Sequence, residues 1–210
     1  MAMKLTSTSF KHNEQIPGRC AFGIPDAKEH MKLGQNRNPQ LAWSDIPKGA
    51  KSLVLLCIDV DVPSSLENFN KEGQVIETSL PRVEFCHWVM VDIPPRYGGV
   101  AEGECSDGIT ARGKGNPQGP PGSRQGINDY TGFMAGDSSM AGDYYGYDGP
   151  CSPWNDERIH HYHFTLYATD LERCSVSGRF TAAEVRQAIK GHVLAEAKLT
   201  GTYTLNQRLL

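Results

Sequence analysis

The sequence predicts a mostly β protein, an antiparallel β-sandwich of two sheets with a C-terminal helix and long irregular loops. Three observations carry this expectation. Residues 53–61 and 86–93 are near-continuous apolar runs of strand length, as strands covered on both faces read. Glycine (22) and proline (13) are plentiful in 210 residues, which supplies many turns. One segment alone carries a convincing helical signal, so strands do not alternate with helices as parallel βαβ units require.

Taken in order, weak strand signals lie near residues 5–10 and 40–43. The run at 53–61 follows, and then the run at 86–93, which Pro94-Pro95 ends. Residues 98–156 form a long stretch of Gly, Pro, Asp, Asn and Tyr with neither helical nor alternating period, and a loop of that length in a compact domain is usually functional. Within it, residues 113–145 are expected to form the mobile rim of a site, with glycines for mobility and tyrosines for contact. Residues 159–167 are aromatic and β-branched and predict a third strand. Thr181-Ala182-Ala183-Glu184 is a capping box, and Val185, Ala188, Ile189 and Val193 then recur at helical spacing. A last weak strand lies near 201–205.

Composition bounds the function. The chain is 39% hydrophobic and 21% charged, and residues 1–210 suit a single domain. A net charge of −3 without a basic stripe disfavours nucleic acid. The longest apolar run falls far short of the ~20 residues that cross a bilayer. Residues 1–10 lack the apolar centre and cleavage site of a secretory signal. The six cysteines (20, 57, 86, 105, 151 and 174) form no CxxC pair and several stand in apolar runs. Buried free thiols in a reducing, cytoplasmic compartment are expected. No internal repeat is present.

Side chains alternate along a strand. Alternation places Cys57, Asp59 and Asp61 on one face, and His160, Tyr162 and Phe164 on one face, with His161 and His163 on the other. It aligns His87 with Val89 and Val91. Aspartates and histidines inside apolar strands must pair or face a pocket, because burying them unpaired is costly. Any one of them alone reads as a satisfied structural group; three strands each delivering one reads as a site. A metal is not expected: adjacent strand histidines diverge, and nothing supplies an obvious third ligand to His161 and His163. Nor is an enzyme. There is no GxSxG elbow, no flanking signature around Cys151-Ser152, and no phosphate-cradling loop around Gly113-Lys114-Gly115.

A longer pattern joins these pieces. Asn38-Pro39-Gln40-Leu41-Ala42-Trp43 is followed by Asp59-Val60-Asp61-Val62-Pro63, then His87-Trp88-Val89-Met90-Val91-Asp92-Ile93-Pro94. Gly126-Ile127-Asn128-Asp129-Tyr130, Gly146-Tyr147-Asp148-Gly149-Pro150-Cys151, the run His160-His161-Tyr162-His163-Phe164 and the tail Gly191-His192-Val193-Leu194-Ala195 complete it. In this order the strings closely resemble the phosphatidylethanolamine-binding proteins, in particular their bacterial, Raf-kinase-inhibitor-like branch. The resemblance implies a two-sheet sandwich with a small cavity that takes phosphate-like anions or phospholipid head groups. It assigns Asp59 and Asp61 to the DPDxP aspartates, His87 to the strand histidine, His160 and Tyr162 to the H-x-Y pair, and Gly149 and Pro150 to one wall. The chain departs from the pattern at Val60, which replaces the proline between the aspartates. Ser152 stands where relatives often have proline, and His161 takes the usual arginine place. Segments 64–84 and 131–145 look longer than the family norm.

The expected function is binding of a small anionic group, with His87, His160 and Tyr162 donating to its oxygens and Asp59 orienting or charging a histidine. An inhibitor of a kinase or protease that uses the pocket as a regulatory site, and an acid–base hydrolase, are the alternatives. No cofactor is expected, and a homodimer is open.

Overall fold

A computed structural model describes residues 2–210. Three antiparallel sheets carry the chain. The largest runs β10-β9-β5-β6-β8, built from β5 (Ser52–Pro63), β6 (Arg82–Ile93), β8 (Arg124–Gln125), β9 (His160–Thr169) and β10 (Val193–Tyr203). A second sheet runs β1-β4-β7, from β1 (Lys4–Thr6), β4 (Leu41–Ser44) and β7 (Gly99–Val100). β2 (Gly23–Asp26) and β3 (His30–Leu33) form a separate ribbon. The mostly β, antiparallel expectation holds.

The first two sheets bury one core between them: Leu5, Leu41, Trp43 and Val100 meet Leu53, Leu55, Trp88, Met90, Phe164 and Leu166. The opposite face of the large sheet presents Val54, Leu56, Val89 and Val91 to Phe180, Val185 and Ile189. β5 is therefore covered on both sides, which is why its sequence is apolar without alternation. β5 runs slightly beyond the expected 53–61, β6 begins four residues before the expected 86–93, and β9 is shifted by one to two residues from the expected 159–167.

The helix differs from expectation. α2 (Ala182–Ala188) begins at the capping box, where Thr181 and Glu184 exchange hydrogen bonds, but it ends at Ile189. Val193, which the helical spacing included, opens β10. The apolar face that a longer helix would have used is already complete at Val185 and Ile189, and Gly191 in the left-handed region (φ 83°) reverses the chain. The helix is thus not terminal: a long strand follows it, of which only the end near 201–205 was expected. A second short helix, α1 (Tyr130–Phe133), interrupts the long irregular stretch.

Candidate functional site

Asp59 and Tyr162 are directly opposed across the β5–β9 ladder, and His160 stands two residues further along the same face of β9. That ladder is regular from Ser52↔Thr169 to Asp59↔Tyr162, so alternation brings these three side chains to one place. His87 arrives differently. Between Cys57↔Trp88 and Ile58↔Cys86 the β5–β6 register slips by a residue. Cys86 and Val89 face the helix side, while Trp88 enters the inter-sheet core and His87 turns to Tyr162, with ring centroids 5.1 Å apart. The expected alignment of His87 with Val89 and Val91 therefore fails. A bulge re-aims the histidine into the site.

Asp61 does not join the cavity. The β5–β6 register is irregular between Asp59 and Val62, and the Asp61 amide donates to Asp59 Oδ1 at 2.8 Å. Its carboxylate turns to the other face, accepting from the His161 amide (2.9 Å), His161 Nδ1 (2.8 Å) and Arg158 (3.2 Å). Burial alone would raise its pKa, but these partners hold it below the ordinary value. Gly149 and Pro150 brace the wall rather than line it. The Gly149 amide donates to Asn36 and its carbonyl accepts from the Tyr130 hydroxyl. A Cβ there would sit 2.0 Å from the Cys20 carbonyl oxygen, which is what demands glycine. The Pro150 carbonyl accepts from the amides of Phe22 and Gly23. The wall itself is Cys151, Ser152 and Pro153. Of the seven expected site residues, Asp59, His87, His160 and Tyr162 line the cavity.

Sequence reasoning missed the residue that defines the charge of the floor. His160 is fully buried, with Nδ1 2.7 Å from Asp59 Oδ2 and Nε2 3.1 Å from Asp156 Oδ2. Both neighbours are carboxylates, which accept, so both ring nitrogens carry hydrogen and the ring is an imidazolium. Burial lowers the His160 pKa, but Asp59 and Asp156 outweigh it and lift the value to about 9. Asp156 in turn takes a forked pair of bonds from the buried Arg82 guanidinium. Two carboxylates and two cations thus balance in the chain Asp59–His160–Asp156–Arg82. Neither nitrogen of His160 is free to donate to a ligand, contrary to the expected role.

His87 is the opposite case. Its Nδ1 lies 2.7 Å from the Asp148 carbonyl oxygen, to which it donates, and Nε2 is left without a protein partner. The Asp148 side chain is itself clamped by Asn36 (2.7 Å), Lys114 (2.7 Å) and Asn128 (2.8 Å), so the carbonyl that orients His87 is fixed. Burial, only partly offset by Asp59, holds the His87 pKa below the ordinary histidine value, and the ring is neutral. The Tyr162 hydroxyl is buried and lies beside the Asp59 carboxylate, without hydrogen-bond geometry to it or to any other protein group. Burial, reinforced by Asp59, pushes its phenol well above the usual range, so it is a neutral donor.

These groups form the closed end of a cavity of about 60 Å³. Its walls are apolar: Val62, Phe85, Tyr130, Cys151 and Pro153, with Leu66, Phe69 and Phe133 at the mouth. Of the segment 113–145 expected as the rim, Tyr130 and Phe133 reach it; the rest of the rim comes from 62–69 and 151–153. The Cys151 thiol is held protonated, its pKa pushed up by burial to about 12. Among the described residues no cluster of three His, Cys, Asp or Glu is placed to hold a metal ion.

A family profile described as phosphatidylethanolamine-binding protein matches residues 6–204. The chain belongs to the phosphatidylethanolamine-binding protein family. It is 32% identical over 201 residues to a UPF0098 protein of Methanothermobacter thermautotrophicus, covering 96% of this chain and 98% of that one. It is 29% identical to the UPF0098 protein YbhB of Escherichia coli, covering 96% and 100%. The crystal structure of a phosphatidylethanolamine-binding protein homolog from Chlamydia trachomatis superposes with TM-score 0.65 at 28% identity, covering 96% of this chain and 97% of that one. Escherichia coli YbcL, at 24% identity and TM-score 0.69 over 97% and 99%, shares the fold. The departures from the phosphatidylethanolamine-binding pattern have structural counterparts. His161, in the arginine place, pairs with Asp61, and the Ser152 hydroxyl oxygen accepts from the Leu205 amide at 3.2 Å, tying the wall to the chain just past β10. No described helix is long and apolar enough to cross a membrane.

Proposed function

We propose that the chain is a binding protein for a small oxyanion, phosphate-like or carried on a phospholipid head group, that performs no reaction on it. The observation that carries this reading is the unpartnered Tyr162 hydroxyl at the cavity floor, beside the free Nε2 of His87. A buried hydroxyl without a partner costs on the order of 1–3 kcal/mol. A ligand oxygen supplies what the protein omits. The balanced Asp59–His160–Asp156–Arg82 chain leaves the floor without net charge, so an entering anion meets no net repulsion. Absence of chemistry is supported by the donor set: His160 is locked between carboxylates, His87 is oriented by a carbonyl, and the nearest thiol is protonated. The free state of all six cysteines supports a cytoplasmic location.

Tyr162→Phe separates this reading from a structural role. The free variant is expected to melt about 2–4 °C higher, since roughly 1 kcal/mol of unsatisfied burial disappears. Its affinity for inorganic phosphate, read by calorimetry, is expected to fall roughly 10- to 100-fold through loss of one bond to a charged acceptor. A lower melting temperature with phosphate affinity unchanged would show that the hydroxyl serves the fold and not a ligand.

A further inference from the structure

Gly113-Lys114-Gly115 lacks the signature of a phosphate-binding loop, and the structure gives its lysine another use. Gly113 is in the left-handed region (φ 82°), and a Cβ there would sit 2.1 Å from the Asp143 carbonyl oxygen. The loop therefore lies tight against 143–145, where the Tyr145 amide donates to the Lys114 carbonyl (3.3 Å). From this seat the Lys114 side chain turns inward. It is 14% exposed, and its Nζ reaches Oδ1 of Asp148, a side chain only 1% exposed.

Among the described residues Lys114 is the one cation paired with that carboxylate. The other donors are amides, Asn36 to Oδ1 and Asn128 to Oδ2. Both amides are themselves fixed, because Asn36 Oδ1 accepts from the Gly149 amide and Asn128 Oδ1 from the Tyr130 amide. The main chain of Asp148 pairs with His87 in both directions. Its amide donates to the His87 carbonyl (3.0 Å), and its carbonyl accepts from His87 Nδ1. Any turn of Asp148 would move the acceptor that selects the His87 tautomer and leaves Nε2 to the cavity.

We propose that Lys114 is a positioning residue of the cavity that acts on His87 through Asp148: it anchors the residue whose carbonyl holds the ring, and its charge offsets the carboxylate beside that ring. This rests on the reading of the floor as an oxyanion site, and it names a group that sets the pH at which His87 gains a proton there. The titratable groups facing His87 are Asp59 from β5, Tyr162 from β9, Tyr130 from α1, Asp129 from the turn before α1, and Asp148. His160 offsets the charge of Asp59, and Lys114 that of Asp148. A carboxylate near an imidazole favours the charged ring. Removal of the lysine charge therefore raises the pH at which His87 titrates, and removal of the Asp148 carboxylate lowers it.

The test follows the His87 ring nitrogens by nitrogen-15 NMR as a function of pH and, in parallel, titrates sulfate by calorimetry. Lys114→Gln gives the Asp148 carboxylate an amide in place of its cation. Its His87 midpoint is expected to rise by on the order of one pH unit, and the range over which sulfate affinity falls to rise with it. Lys114→Arg, which keeps the charge, is expected to keep the wild-type midpoint. Asp148→Asn removes the buried charge and leaves Lys114 able to turn to solvent, so it carries the test if the glutamine variant does not fold. Its midpoint is expected to move down by a similar amount. Midpoints within about 0.2 pH units of wild type in both variants overturn the proposal, whatever the melting temperatures do, and leave Lys114 a bond of the fold alone. A displaced midpoint with sulfate bound at no pH supports the relay to His87 and overturns the oxyanion reading. Sulfate affinity whose pH range stays fixed while the midpoint moves overturns Lys114 as a determinant of binding.

Discussion

Asp156→Ala is expected to destabilise the protein by about 3–5 kcal/mol, the loss seen when one partner of a buried ion pair is removed. The side chain is fully buried and satisfies two cations at once, taking forked bonds from Arg82 and one from His160 Nε2. Its removal leaves the buried Arg82 guanidinium without a carboxylate and His160 with Asp59 alone. Set against total stabilities of about 5–15 kcal/mol, that is a large share. The urea midpoint should fall by on the order of 1–2 M with an unchanged slope. His160→Ala is expected to be comparably damaging, because it leaves Asp59 as an uncompensated buried carboxylate and strips Asp156 of one of its two cations. A double-mutant cycle should show strong non-additivity between the two. Midpoints of both single variants within about 0.3 M of wild type would mean that the chain of charges is not a structural unit.

The same chain sets a pH signature. The folded pKa of His160 is raised to about 9 from 6.5, so its contribution is complete below the unfolded value and is lost as pH rises through about 9. Asp156 is shifted the other way. Burial raises its pKa, but His160 and Arg82 bring it below the ordinary carboxylate value. Its contribution is present above the unfolded carboxylate range and is lost as pH falls through the folded value. Stability from this network is therefore greatest between the unfolded carboxylate range and about pH 6.5, and declines on both sides.

What was legible in the sequence, and what was not, follows from where alternation survives. Asp59, His160 and Tyr162 were grouped correctly because the β5–β9 ladder between them is unbroken. His87 belongs to the site, but the alternation argument placed it with Val89 and Val91. A bulge is a local backbone event with no two-residue period to announce it. The second irregularity misled in the opposite sense, making Asp61 a companion of Asp59 when it serves His161 on the other face. Asp156 lies in irregular chain, where no periodicity exists to read. One signal pointed toward it: a buried histidine between strands has two nitrogens to satisfy, and Asp59 accounts for one. The apolar mouth of the cavity was illegible for a similar reason. Leu66, Phe69 and Phe133 sit in segments without a period, and only the folded chain reveals that they converge.

Affinity for sulfate, an oxyanion that does not titrate between pH 5.5 and 8, is expected to fall steeply as pH rises across that range. Phe85, Tyr130 and Tyr162 pack on the His87 ring, and the charged groups that act on it are Asp59, Asp129 and Asp148. None of them is a cation, and His160, the one imidazolium at the floor, is spent on Asp59 and Asp156. His87 is thus left to supply positive charge to an arriving anion. In the free protein burial keeps it neutral, with a pKa below the ordinary histidine value. Nδ1 is already committed to the Asp148 carbonyl, so a proton taken up goes to Nε2, the nitrogen left free at the cavity. A bound anion beside Nε2 favours that charged form and raises its pKa. Between the free and bound values each binding event takes up one proton, and affinity drops up to tenfold per pH unit. Over two units the loss is expected to reach about 100-fold at most, levelling off above the bound value. Calorimetry in buffers of different ionisation enthalpy should read close to one proton absorbed near the middle of the range. His87→Gln, which keeps polar amide chemistry at the cavity but cannot titrate, is expected to bind sulfate weakly and without pH dependence. An affinity that stays level from pH 5.5 to 8 in the wild-type protein, with no proton absorbed, would mean that the neutral Tyr162 hydroxyl and the apolar walls hold the anion without His87 becoming charged.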